Sequence, residues 1–357
     1  MNYVSRRSTR HLKLLCGLVV AMLLCVPLVR AQSANQGKND ALYLYHGVDR
    51  DQQLLEKARQ EGTVVVYTSL SPSESTPLAK AFEKKYGVKV ELWRAMSDKV
   101  VQRTVTEGQA RRFTVDVIET NGPEVEMIAR EKLLSKFFSP YLADLPSAAA
   151  PPHRLWVTDR LSFFVVAYNT NKVKREDLPK HYEGFLDPKW KGQIGIEATD
   201  AEWMATVIKK LGTERGMKLF EKLAEMRPDV RKGHILLAEL VVAGEVPVAL
   251  SAYDSNAKSL KLSGGPIDWM PVEPVVGRPQ GIGLAKNAPH PHAALLFADF
   301  VLSPEGQELF NAMGRVPVSL KVKNNLNNFP YTMVDPATVL DESEKWEKLW
   351  DNLFLKK

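Results

Sequence analysis

Between Gly62 and Glu119 three apolar, β-branched runs alternate with two stretches of helical period, and no other feature limits the fold of this chain as much. Residues 63 to 67 read Thr-Val-Val-Val-Tyr and are bounded by Gly62 and Thr68-Ser69, which predicts a strand buried on both faces. Leu78, Ala81, Phe82 and Tyr86 then share one helical stripe, and Gly87 stands where a left-handed C-terminal stop belongs. Val88 to Trp93, Asp98 to Glu107 and Val115 to Glu119 continue the series as strand, helix and strand. Right-handed crossovers turn such a unit into a parallel sheet.

The pattern resumes after a Pro-rich surface loop at Pro146 to Pro152. Leu161 to Tyr168, Ile194 to Glu197, Val248 to Ser251 and Trp269 to Val272 read as strands, and Ala201 to Leu211, Glu214 to Met226 and Ile235 to Ala243 as helices. A strand at Gly281 to Ala285 leads to a helix over Pro291 to Leu302. Ser303-Pro304 then has the form of an N-cap followed by proline at the first helical position, opening a helix to Met313. Trp346, Leu349, Trp350, Leu353 and Phe354 keep helical spacing, as a docking helix would.

Charge has to be read after the first 31 residues are set aside. They contain Arg6, Arg7, Arg10, Lys13 and Arg30 with no acid, an apolar run from Leu14 to Val29, and Val29-Arg30-Ala31 with small residues at the cleavage positions. This is the three-part pattern of a secretory signal peptide, and the run is too short and interrupted for a membrane span. Ser5-Arg6-Arg7 gives only a weak twin-arginine pattern, so the general secretory route fits better. Without this segment the net charge of +6 falls to within one unit of neutrality, and Cys16 and Cys25, the only cysteines, are lost with it. A disulfide scaffold, a Cys-ligated metal and a thiol nucleophile are thereby excluded, and nucleic acid loses its support as a partner.

Several segments resemble ABC-transporter periplasmic solute-binding proteins of the ferric-iron-binding type. They are Val65-Val66-Tyr67-Thr68-Ser69, Ala81 to Val90, Asp116-Val117-Ile118, Ala167-Tyr168-Asn169-Thr170, Asp187 to Gly192, Ala243-Gly244-Glu245 and Ser303 to Gln307, in the family's order over nearly the whole mature chain. The resemblance implies an α/β fold of type II. Two lobes, each a mainly parallel sheet flanked by helices, are joined by two crossing strands and close on one ligand. Lobe 1 would comprise residues 32–155 and 273–357, and lobe 2 residues 156–272. A monomeric periplasmic receptor delivering a small molecule to an inner-membrane permease is implied, with no cofactor and no catalysis.

In an open α/β sheet, strand C-termini and helix N-termini form a rim suited to ligands. On the first lobe that rim holds Ser69, Ser71, Arg94, Ser97, Thr120 and Asn121, whose hydroxyls, amide and guanidinium suit an anion. Ser71 reads equally as an N-cap before Pro72. The second lobe offers Trp203, His234, Tyr253 and Asp254. Trp203 reads as a stacking platform or as core, and His234, at a helix N-terminus, as a neutral hydrogen-bonding group. Tyr253 stands where the family keeps its binding tyrosines.

Ferric-binding members place two adjacent tyrosines there, with a histidine near the first rim and a glutamate near the third strand. This chain has Ala252-Tyr253-Asp254, with Ser71 and Asn121 near the other two positions. One phenolate and one carboxylate make a poor cage for a hard trivalent cation. The expected ligand is therefore a small organic anion, of carboxylate or phosphonate type, or an iron chelate. Ferric iron held as cargo by Tyr253 and Asp254 with an exogenous anion is the alternative. An enzyme or sensory receptor on the same fold is a second one, with His234, Asp200, Glu202 and Asp254 as the available general bases. His290-Pro291-His292 lacks a third metal ligand, and Gly281-Ile282-Gly283 lacks the third glycine of a dinucleotide fingerprint.

Overall fold

The computed structural model describes residues 37–324 and 329–356, so the export signal expected over residues 1–31 lies outside the described residues. β1 (Thr63–Thr68), α1 (Pro72–Tyr86), β2 (Lys89–Arg94), α2 (Ser97–Gln109) and β3 (Val117–Asn121) follow the order expected from the alternation, and both strand pairings are parallel. α1 begins with a capping box between Ser71 and Glu74 and ends at Gly87, whose φ of 72° is the left-handed conformation expected there. α3 (Gly122–Arg130) leaves the end of β3 directly.

β4 (Val157–Asn169) is thirteen residues long and buried throughout. It is followed by β5 (Ile194–Glu197), α4 (Ala201–Leu211), α5 (Thr213–Glu225), β6 (Asp229–Arg231), α6 (His234–Ala243), β7 (Val248–Tyr253) and α7 (Asp254–Leu262). β8 (Val276–Ala285) brings the chain back, and α8 (Pro291–Leu302) covers it. The sheet order is β2-β1-β3-β8-β4-β7-β5-β6. β5 pairs in parallel with β6 and β7, as β1 does with its neighbours, whereas β8 runs antiparallel to both β3 and β4. β4 and β8 are thus the two crossing strands between the lobes. The strand expected at Trp269 to Val272 lies slightly earlier, at Ile267–Met270, against β4.

Each lobe has its own core. Val64, Val66, Phe82, Val117, Leu284, Phe297 and Phe300 pack in the first, and Phe164, Ile196, Trp203, Phe220 and Leu250 in the second. A further apolar layer of Leu237, Ala238, Val241 and Ala249 covers the opposite face of the second sheet.

The C-terminal tail corrects one expectation. Assignment of all of 273–357 to the first lobe fails for the tail, because Trp346 and Trp350 pack into the core built by the middle segment. The tail crosses over in two steps. α9 (Pro336–Asp341) touches α3, with Arg130 Nη1 2.6 Å from Asp341, and α10 (Ser343–Trp350) packs on α4.

Candidate functional site

The three first-lobe loops meet at the rim. Thr120 Oγ1 donates to Ser69 Oγ at 3.1 Å, and Asn121 Nδ2 donates to Ser97 Oγ at 2.7 Å. Asn121 also reaches Glu124, in the first turn of α3, at 3.4 Å. Ser71 is taken by its cap: its N–H and its hydroxyl both donate to Glu74. Arg94 is exposed and spends its Nε on the Leu70 carbonyl at 3.2 Å.

A mostly buried guanidinium, Arg278, stands on the crossing strand β8. Its Nη1 donates to the Tyr253 hydroxyl at 2.9 Å, its Nη2 lies 3.5 Å from Glu124 of the first lobe, and its Nε pairs with Glu202 in the first turn of α4. Only 14% of the Arg278 side chain is exposed. Burial opposes its charge, but Glu202 and the other acceptors outweigh that and raise its pKa further. Burial also dominates at Glu202, pushing its carboxyl up to about 7 against the pull of Arg278. The Tyr253 phenol is pushed well above its ordinary value by burial, so it stays protonated at neutral pH.

Tyr253 is the N-cap of α7 at the end of β7, and His234, the first residue of α6, stacks on its ring. His234 Nδ1 lies 3.2 Å from the Ser251 carbonyl oxygen, which can only accept, so Nδ1 carries hydrogen. Nε2 faces Asp200 Oδ1 at 3.2 Å, and two lone pairs can meet there only around a proton. Burial raises the Asp200 carboxyl; at His234 burial pulls the other way, but Asp200 outweighs it and raises the imidazole. The pair therefore holds its proton tightly, and the expectation of a plain neutral His234 gives way to a shared proton. The carboxylate beside it overrides the helix terminus.

Two expected site residues serve the fold instead. Trp203 is completely buried, donates to the Tyr182 hydroxyl at 3.2 Å and meets Phe220 and Trp350 edge-on. Asp254 is buried with Oδ1 accepting the Phe163 N–H at 3.0 Å, and burial pushes its carboxyl up to about 6. Tyr253 and Asp254 thus do not converge as a metal pair. Glu119, at the end of the third strand, is bonded by Thr68 and Arg160. Glu197, Asp200 and His234 do lie within 4.8 Å of one another, but Glu197 already accepts from Gly233 N at 2.8 Å and from both donors of Thr199.

Arg278 and Glu124 escaped the sequence reading. The available signal was composition: Arg278 is the only charged residue between Pro274 and Ala285, in a stretch that is otherwise apolar, glycine, proline or glutamine. A single charge inside a buried strand needs a partner or a ligand.

The sequence matches the family of bacterial extracellular solute-binding proteins over residues 77–330. It is 23% identical over 312 residues to the major ferric iron-binding protein of Neisseria meningitidis serogroup B, covering 82% of this chain and 93% of that one. It is 24% identical over 286 residues to a putative 2-aminoethylphosphonate-binding periplasmic protein of Salmonella typhimurium, covering 76% and 81% respectively. The fold matches that of the periplasmic binding protein AfuA from Actinobacillus pleuropneumoniae, solved with fructose-6-phosphate bound, at a TM-score of 0.71 and 22% identity over 83% of this chain and all of that one. A profile match across most of the chain, a two-lobed fold and a polar cluster at the lobe junction agree: this chain belongs to the bacterial extracellular solute-binding proteins.

Proposed function

We propose that the protein is the periplasmic substrate-binding component of an ABC transporter, and that it captures a small organic anion in the cleft between its lobes. It works as a monomer, exported by a cleavable signal peptide through the general secretory route, and hands its solute to an inner-membrane permease. The observation that carries this reading is Arg278. It is a mostly buried guanidinium on a crossing strand, within reach of the hydroxyl of Tyr253 and of side chains from both lobes. Such a group can grip a carboxylate or phosphonate with two parallel bonds, and the Ser69 and Ser97 hydroxyls can complete the shell, with Thr120, itself fully buried, holding Ser69 in place. Hinged closure would then bring both sets of groups onto the ligand.

Naked ferric iron is supported less well. The phenol of Tyr253 is protonated and bonded to Arg278, and Asp254 is committed to the Phe163 N–H. A hard trivalent cation needs deprotonated oxygens. Native mass spectrometry of protein purified without refolding should find a retained organic acid, and Arg278→Met should lose it. A stoichiometric Fe³⁺ titration that produces a visible tyrosinate charge-transfer band would replace this reading with the ferric one.

A further inference from the structure

Arg278 faces two carboxyl groups, and burial keeps one of them, Glu202, partly protonated. Glu124 from the first lobe and Glu202 from the second both face the one guanidinium, with side chains 20% and 8% exposed. The nearby Asp200–His234 pair shares a proton and adds no net charge. Glu197, just behind it, has its carboxyl filled by backbone and hydroxyl donors. The cleft thus offers one cation and more than one carboxyl group.

A ligand that is only an anion is poorly matched to this arrangement. To reach Arg278 it must displace Glu124 or Glu202, which are then left in a desolvated site without the cation that holds them. A ligand with its own cation removes the conflict. Its acidic end takes Arg278 and the hydroxyls of Ser69 and Ser97, while an ammonium, with three donors and no acceptor, takes the displaced carboxyl groups. The geometry points to a small zwitterion as the solute: a carboxylate or phosphonate bearing a protonated amine, with Arg278 reading the acid and Glu124 and Glu202 reading the amine. This rests on the organic-anion reading above and narrows it.

The test compares matched acids on the mature chain at neutral pH by calorimetry and thermal shift: 2-aminoethylphosphonate against ethylphosphonate, and β-alanine against propionate. The amine-bearing member of at least one pair should bind tenfold or more tightly than its partner. Glu124→Gln, which keeps the side chain's shape and removes its charge, should narrow that ratio severalfold. Equal or tighter binding of the amine-free members overturns the zwitterion and leaves the organic-anion reading intact. A response to Fe³⁺ or ferric citrate alone overturns both. A folded protein that responds to none of the four acids overturns the zwitterion for both acid classes.

Discussion

The imidazole of His234 lies face to face on the ring of Tyr253, with centroids 3.8 Å apart and planes 24° from parallel. The two residues come from different helix starts, and each is held from its far side, His234 by Asp200 and Tyr253 by Arg278. The stack therefore links the guanidinium to a shared proton. An NMR titration of His234 should show a pKa above the ordinary imidazole value, because Asp200 stabilises the charged ring. Asp200→Asn should lower it; an unchanged titration would mean that the carboxylate does not set the proton.

Tyr253→Phe removes the hydroxyl that accepts from Arg278 and leaves the ring on His234. A hydrogen bond to a charged group is worth about 1.5–3 kcal/mol, so affinity for the native solute should fall about tenfold or more with the fold intact. Isothermal titration of the two proteins decides it. Equal affinities would place the solute away from this hydroxyl.

Trp203→Ala should act on stability. Burial at 0% exposure against Phe220, Tyr182 and Trp350 puts the cost at about 3–5 kcal/mol, read as a lower urea midpoint. Solute affinity of the fraction that remains folded should match the parent. A large affinity loss with unchanged stability would return Trp203 to the cleft.

Stability should fall as pH rises through the range set by Glu202. Its carboxyl is raised from 4.5 to about 7 in the folded state, so the native protein binds the proton more tightly than the unfolded chain does. The penalty is absent below pH 4.5, grows with pH and is complete above 7, amounting to about 3 kcal/mol at 1.4 kcal/mol per unit. Glu202→Gln should flatten that part of the profile in urea denaturation between pH 4.5 and 8. Parallel profiles for parent and variant would show that Glu202 is ionised throughout.

Backbone architecture was the legible part of this sequence, because periodicity and punctuation are local. Ile194–Glu197, Ala201–Leu211 and Pro291–Leu302 have the boundaries read from their apolar spacing and their flanking Gly and Pro. β8 was half seen: Pro279 breaks its pattern, so the reading began at Gly281 although the strand starts at Val276. The lost half contains Arg278. The rim of the first lobe was placed from its loops, but which hydroxyls were free for a ligand depended on partners such as Glu74, which no spacing specifies. Trp203, read as stacking platform or core, was left undecided for a related reason. Its role is set by Trp350, which the sequence assigns to the other lobe.

β8 is the neighbour of β3, with Leu284 opposite Val117 and Gly283 opposite Ile118. A chain that emerges amino end first, from a ribosome or through a membrane, has β1, β2 and β3 in hand early but must wait for β8 to complete their sheet. The first lobe cannot finish ahead of the second, since the middle segment is threaded before the closing strand arrives. Such an order of assembly keeps the growing chain loose and suits passage as an extended polypeptide, with closure on a solute deferred until the whole chain has arrived.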